Sequence, residues 1–163
     1  MRPIIGFVLL SLASVAAGAQ DSLDGSEVEA LYAKAREFMA EERETLIPEE
    51  LALTAAEADA FWPVYDEYRQ NIETLNDEYA ALLRDFADGF ATMTDTQASA
   101  MIDKYFVIES GLIYMRQRYA GEFLQVIPAR KLVRLYQMEN KIDAMAELPL
   151  IIDIPLLENS GNR

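Results

Sequence analysis

LTAAEADAFWPVYDEY, residues 53–68, contains a helix start followed directly by apolar residues at helical spacing. Thr54 is a preferred N-cap residue, and Glu57 stands three positions later, so each side chain can bond the other's backbone N–H in a capping box. Leu53 occupies the apolar position that often precedes such a box. The stretch therefore predicts where a helix begins.

The apolar series continues well beyond this start. Its members alternate at steps of four and three: Phe61, Tyr65, Tyr68, Ile72, Leu75, Tyr79, Leu82 and Phe86. This spacing is typical of a helix that packs one side against another helix. It predicts a long helix over about residues 55–88, with Gly89 as the C′ residue just beyond its end, where a left-handed conformation is usual. Pro63, beside the single Trp62, is expected to bend the helix near its start.

The same start signal recurs forty residues later. Met93, Thr94 and Gln97 repeat the apolar residue, the N-cap and the third helical position, and they predict a helix over roughly residues 95–125. One apolar series on it comprises Met101, Tyr105, Ile108, Leu112, Met115 and Tyr119. A second apolar side comprises Ile102, Phe106, Ile113 and Tyr114, joined by Val107. A helix that is apolar on two sides is central or has a further partner.

Two more helices complete the prediction of an all-α domain. Ser26 and Glu29 predict a capping box that opens a helix over about residues 27–44, with Pro48 in the connection that follows. Pro128 predicts the start of a last helix over about residues 129–147. Gly111 and Gly121, inside the third helix, suggest close helix approach or bending.

The last sixteen residues are expected to form a tail. Residues 148–157 read LPLIIDIPLL, where two prolines argue against a helix and the apolar composition predicts that the segment lies in a groove. Residues 158–163 are expected to be disordered. The predicted organisation is thus a helical domain over residues 20–147 and a C-terminal tail.

The first nineteen residues have the features of a secretory signal peptide. Arg2 precedes an apolar run, and Ala17-Gly18-Ala19 is a small-residue cleavage site. The run is short for a membrane span, which needs about 20 residues; an uncleaved N-terminal anchor is the alternative. Because the chain has no Cys, a bacterial-type periplasm fits better than the disulfide-rich small secreted proteins of animals. The predicted localisation is periplasmic, with no stable membrane insertion.

The chain is strongly acidic, with a formal net charge of −14. Such a charge repels nucleic acid and anionic lipid. It can serve solubility alone, or it can favour basic clients. The second predicted helix, over about residues 55–88, carries many carboxylates outside its apolar series, such as Asp59, Glu67 and Asp85. Cations concentrate between Arg116 and Arg134, and this basic zone is the expected counterpart of that acidic helix, within a chain or between chains.

The residue types needed for common catalytic sites are missing. There is no His and no Cys, which removes Ser-His-Asp and Cys-His catalysis and the usual zinc, copper and haem ligands. Carboxylates such as Asp66 and Glu73 lie on a predicted solvated side, so a glycosidase-like pair is disfavoured. Weak calcium binding at Asp77, Glu78 and Asp85 stays open, although no EF-hand spacing supports it. The prediction is a non-enzyme without cofactor or catalytic residue.

Leu53-Thr54-Ala55-Ala56-Glu57 and Met93-Thr94-Asp95-Thr96-Gln97 resemble the repeated LTxxQ motif of the CpxP/Spy family of small periplasmic chaperone and stress proteins. A degenerate third copy is Val126-Ile127-Pro128-Ala129-Arg130. The likeness covers roughly residues 26–147. It implies a thin, curved or hairpin-like all-helical homodimer whose concave face holds unfolded or stress-damaged envelope proteins without ATP. Some members of that family sense metals, and the absence of His in this chain argues against that role here.

The function predicted from these features is that of an ATP-independent, chaperone-like protein of the periplasm. The alternative is a non-catalytic regulatory or interaction protein whose groove is filled by its own C-terminal tail. The candidate client or dimer surface combines residues of both long helices: Phe61, Trp62, Tyr65, Tyr68, Ile102, Phe106, Ile113 and Tyr114. Any single tyrosine of the apolar series can equally serve as packing between helices.

Overall fold

The computed structural model describes residues 24–153, and it describes side chains for residues 24–145. Four α-helices make up most of this part: α1 Gly25–Leu51, α2 Ala55–Gly89, α3 Asp95–Val126 and α4 Ala129–Asp153. No β-strand occurs within residues 24–153, and the fold class is all-α, as predicted. The predicted signal peptide and the end of the tail, from residue 154 onward, lie outside the described residues.

The helix starts predicted from the two capping boxes are confirmed. The N–H of Thr54 donates to Glu57 Oε2 at 2.7 Å, and the N–H of Glu57 donates to Thr54 Oγ1 at 3.3 Å. The N–H of Thr94 donates to Gln97 Oε1 at 2.9 Å, and the N–H of Gln97 donates to Thr94 Oγ1 at 3.3 Å. Local hydrogen bonds of this kind depend on residues three positions apart, which is why they can be predicted from sequence.

The start of α1 was predicted at the wrong residue. Asp24, not Ser26, is the N-cap, and Glu27, not Glu29, completes the capping box. The Asp24 carboxylate accepts from the N–H of Ser26 at 2.9 Å and from that of Glu27 at 3.0 Å. A carboxylate that satisfies two free N–H groups also interacts favourably with the positive end of the helix, which explains the earlier start.

The end of α1 also differs from the prediction, because Pro48 lies inside the helix and not in a connection. Ile47 and Leu51, one turn apart, are both buried in the core. Burying two such side chains is worth about 1.5–3 kcal/mol each, which offsets the hydrogen bond that the proline removes. The helix ends where Ala52 adopts a left-handed conformation with φ 44°.

At the other end of the chain, α4 continues to Asp153 and includes Pro149, so the expectation that residues 148–153 are not helical is wrong. Proline removes one backbone hydrogen bond and does not by itself end a helix that is already several turns long. The predicted placement of the tail in a groove concerns side chains outside the described part.

A further difference lies at the end of α2. Gly89 is the last helical residue and has φ −96°, so it does not take the left-handed conformation expected of it. The chain passes instead into a single 3-10 turn over Phe90–Thr92. Such tight turns are common at helix ends and satisfy the last carbonyls without a glycine in the left-handed region.

The short connections place successive helices antiparallel. The N–H of Gly25, at the start of α1, donates to the Asp88 carboxylate near the end of α2 at 2.8 Å. The Lys131 ammonium, at the start of α4, donates to the Ala52 carbonyl after the end of α1 at 2.9 Å. As a result α2 lies between α1 and α3, while α4 returns along α1.

The main apolar core lies at the end of the bundle where α1 and α3 finish and α2 and α4 begin. It is built by all four helices and the residue after α3: Ile47, Leu51, Phe61, Tyr65, Tyr68, Ile72, Tyr119, Phe123, Ile127, Leu132 and Leu135. The α2 and α3 apolar series therefore contribute much of this core. At the opposite end, aromatic contacts join α1, α2 and α3, with Tyr32 against Tyr79 at 6.3 Å and Tyr79 against Tyr105 at 6.4 Å between ring centroids.

Candidate binding surface

The eight residues predicted as a client or dimer surface divide into three groups: three are buried, one is partly buried and four are exposed. Phe61, Tyr65 and Tyr68 are buried inside the core, so their placement on an accessible surface is corrected. Phe61 stacks on Tyr65 at 5.3 Å and also meets Phe123 of α3 at 5.5 Å. The alternative interpretation of these aromatics, as packing between helices, is the one that fits their burial.

Trp62 lies at the edge of this core. Its indole is partly buried, and its ring meets that of Phe61 edge to face at 5.0 Å. Together with Pro48 of α1, it lines an open groove between α1 and α2 that also contains Arg43 and Arg69. Trp62 thus remains partly accessible, on a different helix from the exposed group.

The other four predicted residues lie on α3 and are exposed. The exposed fraction is 55% for Ile102, 59% for Phe106, 52% for Ile113 and 59% for Tyr114. Ile102, Phe106 and Ile113, which we call the outer stripe, lie within about 40° of one another around the helix at 100° per residue. Tyr114 and the exposed Val107 lie on the adjacent side of the same helix.

The outer stripe is exposed because α3 is packed mainly on one side. On its opposite side Ile108 is buried, and Tyr119 and Phe123 belong to the main apolar core, against α2. Polar contacts with α4 occur near the end of α3, where Tyr136 donates to the Arg116 carbonyl at 2.6 Å and Arg116 pairs with Asp143 at 3.3 Å. Residues 102–114 of α3 therefore present large apolar side chains to solvent.

Gly111 lies at the close contact between α2 and α3. A Cβ at this position would lie 3.0 Å from a methyl of Leu75. This agrees with the predicted close approach of helices, whereas a Cβ at Gly121 would meet nothing within 4 Å. The two glycines of α3 thus have different surroundings, although the sequence treats them alike.

A buried ionic cluster beside the core was not anticipated from the sequence. Glu139 of α4 is 1% exposed and accepts hydrogen bonds from groups of α1 and α2. Tyr65 donates to it at 2.6 Å, Arg43 at 3.0 Å and Arg69 at 3.2 Å. Burial, followed by the negative charge of Glu139, raises the pKa of Tyr65 well above its ordinary value, so the hydroxyl remains a donor.

The cluster extends across all four helices. Asp143 pairs with Arg43 and with Arg116 of α3, and Glu73 pairs with Arg69 and with Arg36 of α1. Burial raises the pKa of the Asp143 carboxyl, against the opposing effect of Arg43. No buried side-chain nitrogen or oxygen among the described residues lacks a hydrogen-bond partner. The cluster thus connects the four helices through fully engaged charges.

One sequence signal could have revealed this cluster. Glu139 falls in the inward series of α4, between the buried Leu135 and Ile142 at helical spacing. A charge at such a position needs a buried partner of opposite sign. The partner itself could not be read from the sequence, because Arg43 and Arg69 are distant in the chain.

The basic zone pairs differently from the prediction. Among the described side chains of this zone, only Lys131 makes an ion pair with α2, where its ammonium donates to Glu57 at 2.7 Å. Arg134 pairs with Glu50 of α1, and Arg118 pairs with Glu122 of α3 itself at 3.6 Å. The acidic side of α2 is therefore not neutralised by this zone within the described chain.

Among the described residues, no group of three or more acidic side chains is arranged to hold a metal ion. Nor does any helix within residues 24–153 combine the length and the apolar composition that a membrane span requires.

Comparison with known proteins gives no match: no family model, no curated protein and no solved structure is similar to this chain.

Proposed function

We propose that the chain is a non-catalytic, ATP-independent chaperone-like protein of the periplasm that binds unfolded proteins on the outer stripe of α3. The observation that carries the proposal is the exposure of Ile102, Phe106 and Ile113 together on one side of a long helix. Contiguous apolar side chains on a protein surface commonly mark interaction sites. The resemblance of the two capping motifs to the LTxxQ pattern supports the same function.

Packing against the rest of the molecule holds α3 in place as a platform for such binding. The core at one end and the aromatic contacts at the other hold α3 against α2 over its length. Large side chains on a fixed helix can contact extended or collapsed apolar segments without ordering the chaperone first, which lowers the entropic cost of binding. The binding surface then needs no nucleotide-driven change of shape.

An aggregation assay tests the proposal. A client protein that unfolds on reduction is followed by light scattering, with and without the wild-type chain in equimolar amount. The proposal predicts suppressed scattering with the wild type and a substantial loss of suppression with the double variant F106S/I113S. Unchanged scattering with the wild type contradicts the proposal.

The matched control is F38S. Phe38 is 46% exposed and lies on α1, which does not pack against α3 in the described structure. This substitution removes a comparable exposed aromatic side chain, so it should leave suppression unchanged. Equal loss with F38S and with F106S/I113S contradicts a role specific to the outer stripe.

The resemblance also leads us to propose a homodimer. Sedimentation velocity of the chain over a range of concentrations tests this directly, and a single monomer boundary at all concentrations contradicts it. The client-binding proposal does not depend on the outcome.

A further inference from the structure

One carboxylate lies between Phe106 and Ile113 on the side of α3 that carries the outer stripe. Glu109 lies three residues after Phe106 and four residues before Ile113, so it belongs to the same side of the helix. Its side chain is partly exposed. A ligand that covers Phe106 and Ile113 must therefore also cover or contact this carboxylate.

The cations of α3 are already engaged within the chain. Lys104 lies 3.9 Å from Asp85, Arg116 pairs with Asp143 at 3.3 Å, and Arg118 pairs with Glu122 at 3.6 Å. By contrast, Asp103 and Glu109 make no ion pair with any side chain among residues 24–145. The charge that α3 leaves uncompensated on its exposed side is therefore negative.

Charged side chains at the nearby ends of α1 and α2 do not offset the negative charge on the exposed side of α3. Arg84 lies within 3.9 Å of Asp85 and within 3.5 Å of Glu29, and Arg36 pairs with Glu73. Lys34 of α1 is exposed, but so are Glu27 and Glu37 of the same helix. The formal net charge of the whole chain is −14. A partner that buries the outer stripe thus meets apolar side chains and negative potential together.

A second copy of the chain is a poor occupant of this stripe. An antiparallel pairing centred on the stripe brings Glu109 close to the Glu109 of the other copy, because the residue lies midway along the stripe. Like charges in a partly desolvated contact are destabilising. The charge of the surface instead favours a ligand with positive charge.

We infer that the outer stripe selects amphipathic segments rich in Lys or Arg, and that Glu109 is the residue that pairs with their cations. The inference rests on the proposed function and specifies its client class. Apolar side chains of the client cover Phe106 and Ile113, while a neighbouring Lys or Arg reaches the Glu109 carboxylate. Anionic clients of equal apolarity are repelled.

Two labelled peptides with the same apolar residues test this inference. One carries Lys at every polar position and the other carries Glu, and binding to the full chain is measured by fluorescence anisotropy at physiological salt. The Lys peptide should bind the wild type more tightly than the Glu peptide, and its affinity should fall as salt rises.

The variant E109K separates local pairing from the overall charge of the chain. E109K should weaken binding of the Lys peptide by about five- to tenfold and strengthen binding of the Glu peptide, because it replaces an attraction by a repulsion. The control E37K makes the same change of net charge on α1, where Glu37 is exposed. It should change either affinity by less than about twofold, because α1 does not pack against α3 and interactions between exposed charges are largely screened beyond about 10 Å.

The outcomes distinguish the inference from the proposed function. If both peptides bind the wild type equally well, the charge selection is wrong and client binding stands. If neither peptide binds, both are wrong. Equal effects of E109K and E37K overturn the role of Glu109, and a wild-type dimer that dissociates in F106S/I113S would show that the stripe is an interface between copies.

Discussion

Glu139 receives hydrogen bonds from Tyr65, Arg43 and Arg69 while it is almost wholly withdrawn from water. Loss of its charge removes one of two carboxylate partners from each of two mostly buried guanidinium groups, Arg43 and Arg69. Breaking a buried pair in this way costs about 3–5 kcal/mol. We therefore expect E139Q to lower the free energy of unfolding by about 3 kcal/mol, measured by urea denaturation followed by circular dichroism.

The control for that variant is E78Q. Glu78 is exposed on α2 and makes no ion pair with the described side chains, so the same substitution there should change stability by no more than about 0.5 kcal/mol. Equal stability of E139Q and E78Q would show that the buried cluster contributes little to the fold.

A second residue, Glu57 at the start of α2, makes the stability of the fold depend on pH. Its hydrogen bonds with Lys131 and then with the N–H of Thr54 lower its pKa from 4.5 to about 2. Because the folded-state pKa is depressed, the stabilisation is complete above pH 4.5 and is lost as the pH falls toward about 2. E57Q should be less stable than the wild type at neutral pH, and the difference should shrink over that acid range. A difference in urea midpoint that does not depend on pH contradicts this.

At the residue scale, sequence predicted what depends on near neighbours. Thr54 with Glu57 and Thr94 with Gln97 were identified because a capping box involves residues three apart. The roles of Glu139, Arg43 and Arg69 were missed because they arise only when α1, α2 and α4 come together. The exposure of Phe106 and the burial of Tyr68, both aromatic and both on apolar sides, likewise follow from packing.

At the scale of the helices, the two glycines of α3 permit a matched test. Gly to Ala within a helix gains about 1 kcal/mol where there is room. G121A should raise the free energy of unfolding by this amount, since its Cβ meets nothing within 4 Å. In G111A the Cβ would lie 3.0 Å from Leu75, so most of the gain should be lost. Thermal or urea unfolding measures both, and an equal gain for the two would contradict the close contact between α2 and α3.

The prolines explain why helix ends were the least predictable feature. Pro48 and Pro149 both lie within helices, although a proline removes a helical hydrogen bond and local sequence therefore predicts a break at each. At Pro48 the buried Ile47 and Leu51 hold the last turn in place. The effect of a proline depends on whether the turns around it pack against something, which local sequence does not show.

At the scale of the whole molecule, the all-α class and the number of helices follow from apolar spacing and start signals. The way the four helices pack together cannot be predicted in the same way, because the apolar spacing of α2 and α3 fits several pairings of four helices. Nor does the spacing show which of the two apolar sides of α3 faces the core. The structure places Ile108 and Tyr119 inside and leaves Ile102, Phe106 and Ile113 in solvent.

Client binding on α3 is tested most directly by site-specific photocrosslinking. The photoreactive amino acid benzoylphenylalanine is placed at position 106 and, in a separate variant, at the exposed position 38 of α1, and each protein is irradiated with a reduced, unfolding client. We expect crosslinked client from position 106 and little from position 38, with the crosslink lost when the client is native. Equal crosslinking at both positions, or none at position 106, would contradict client binding on the outer stripe.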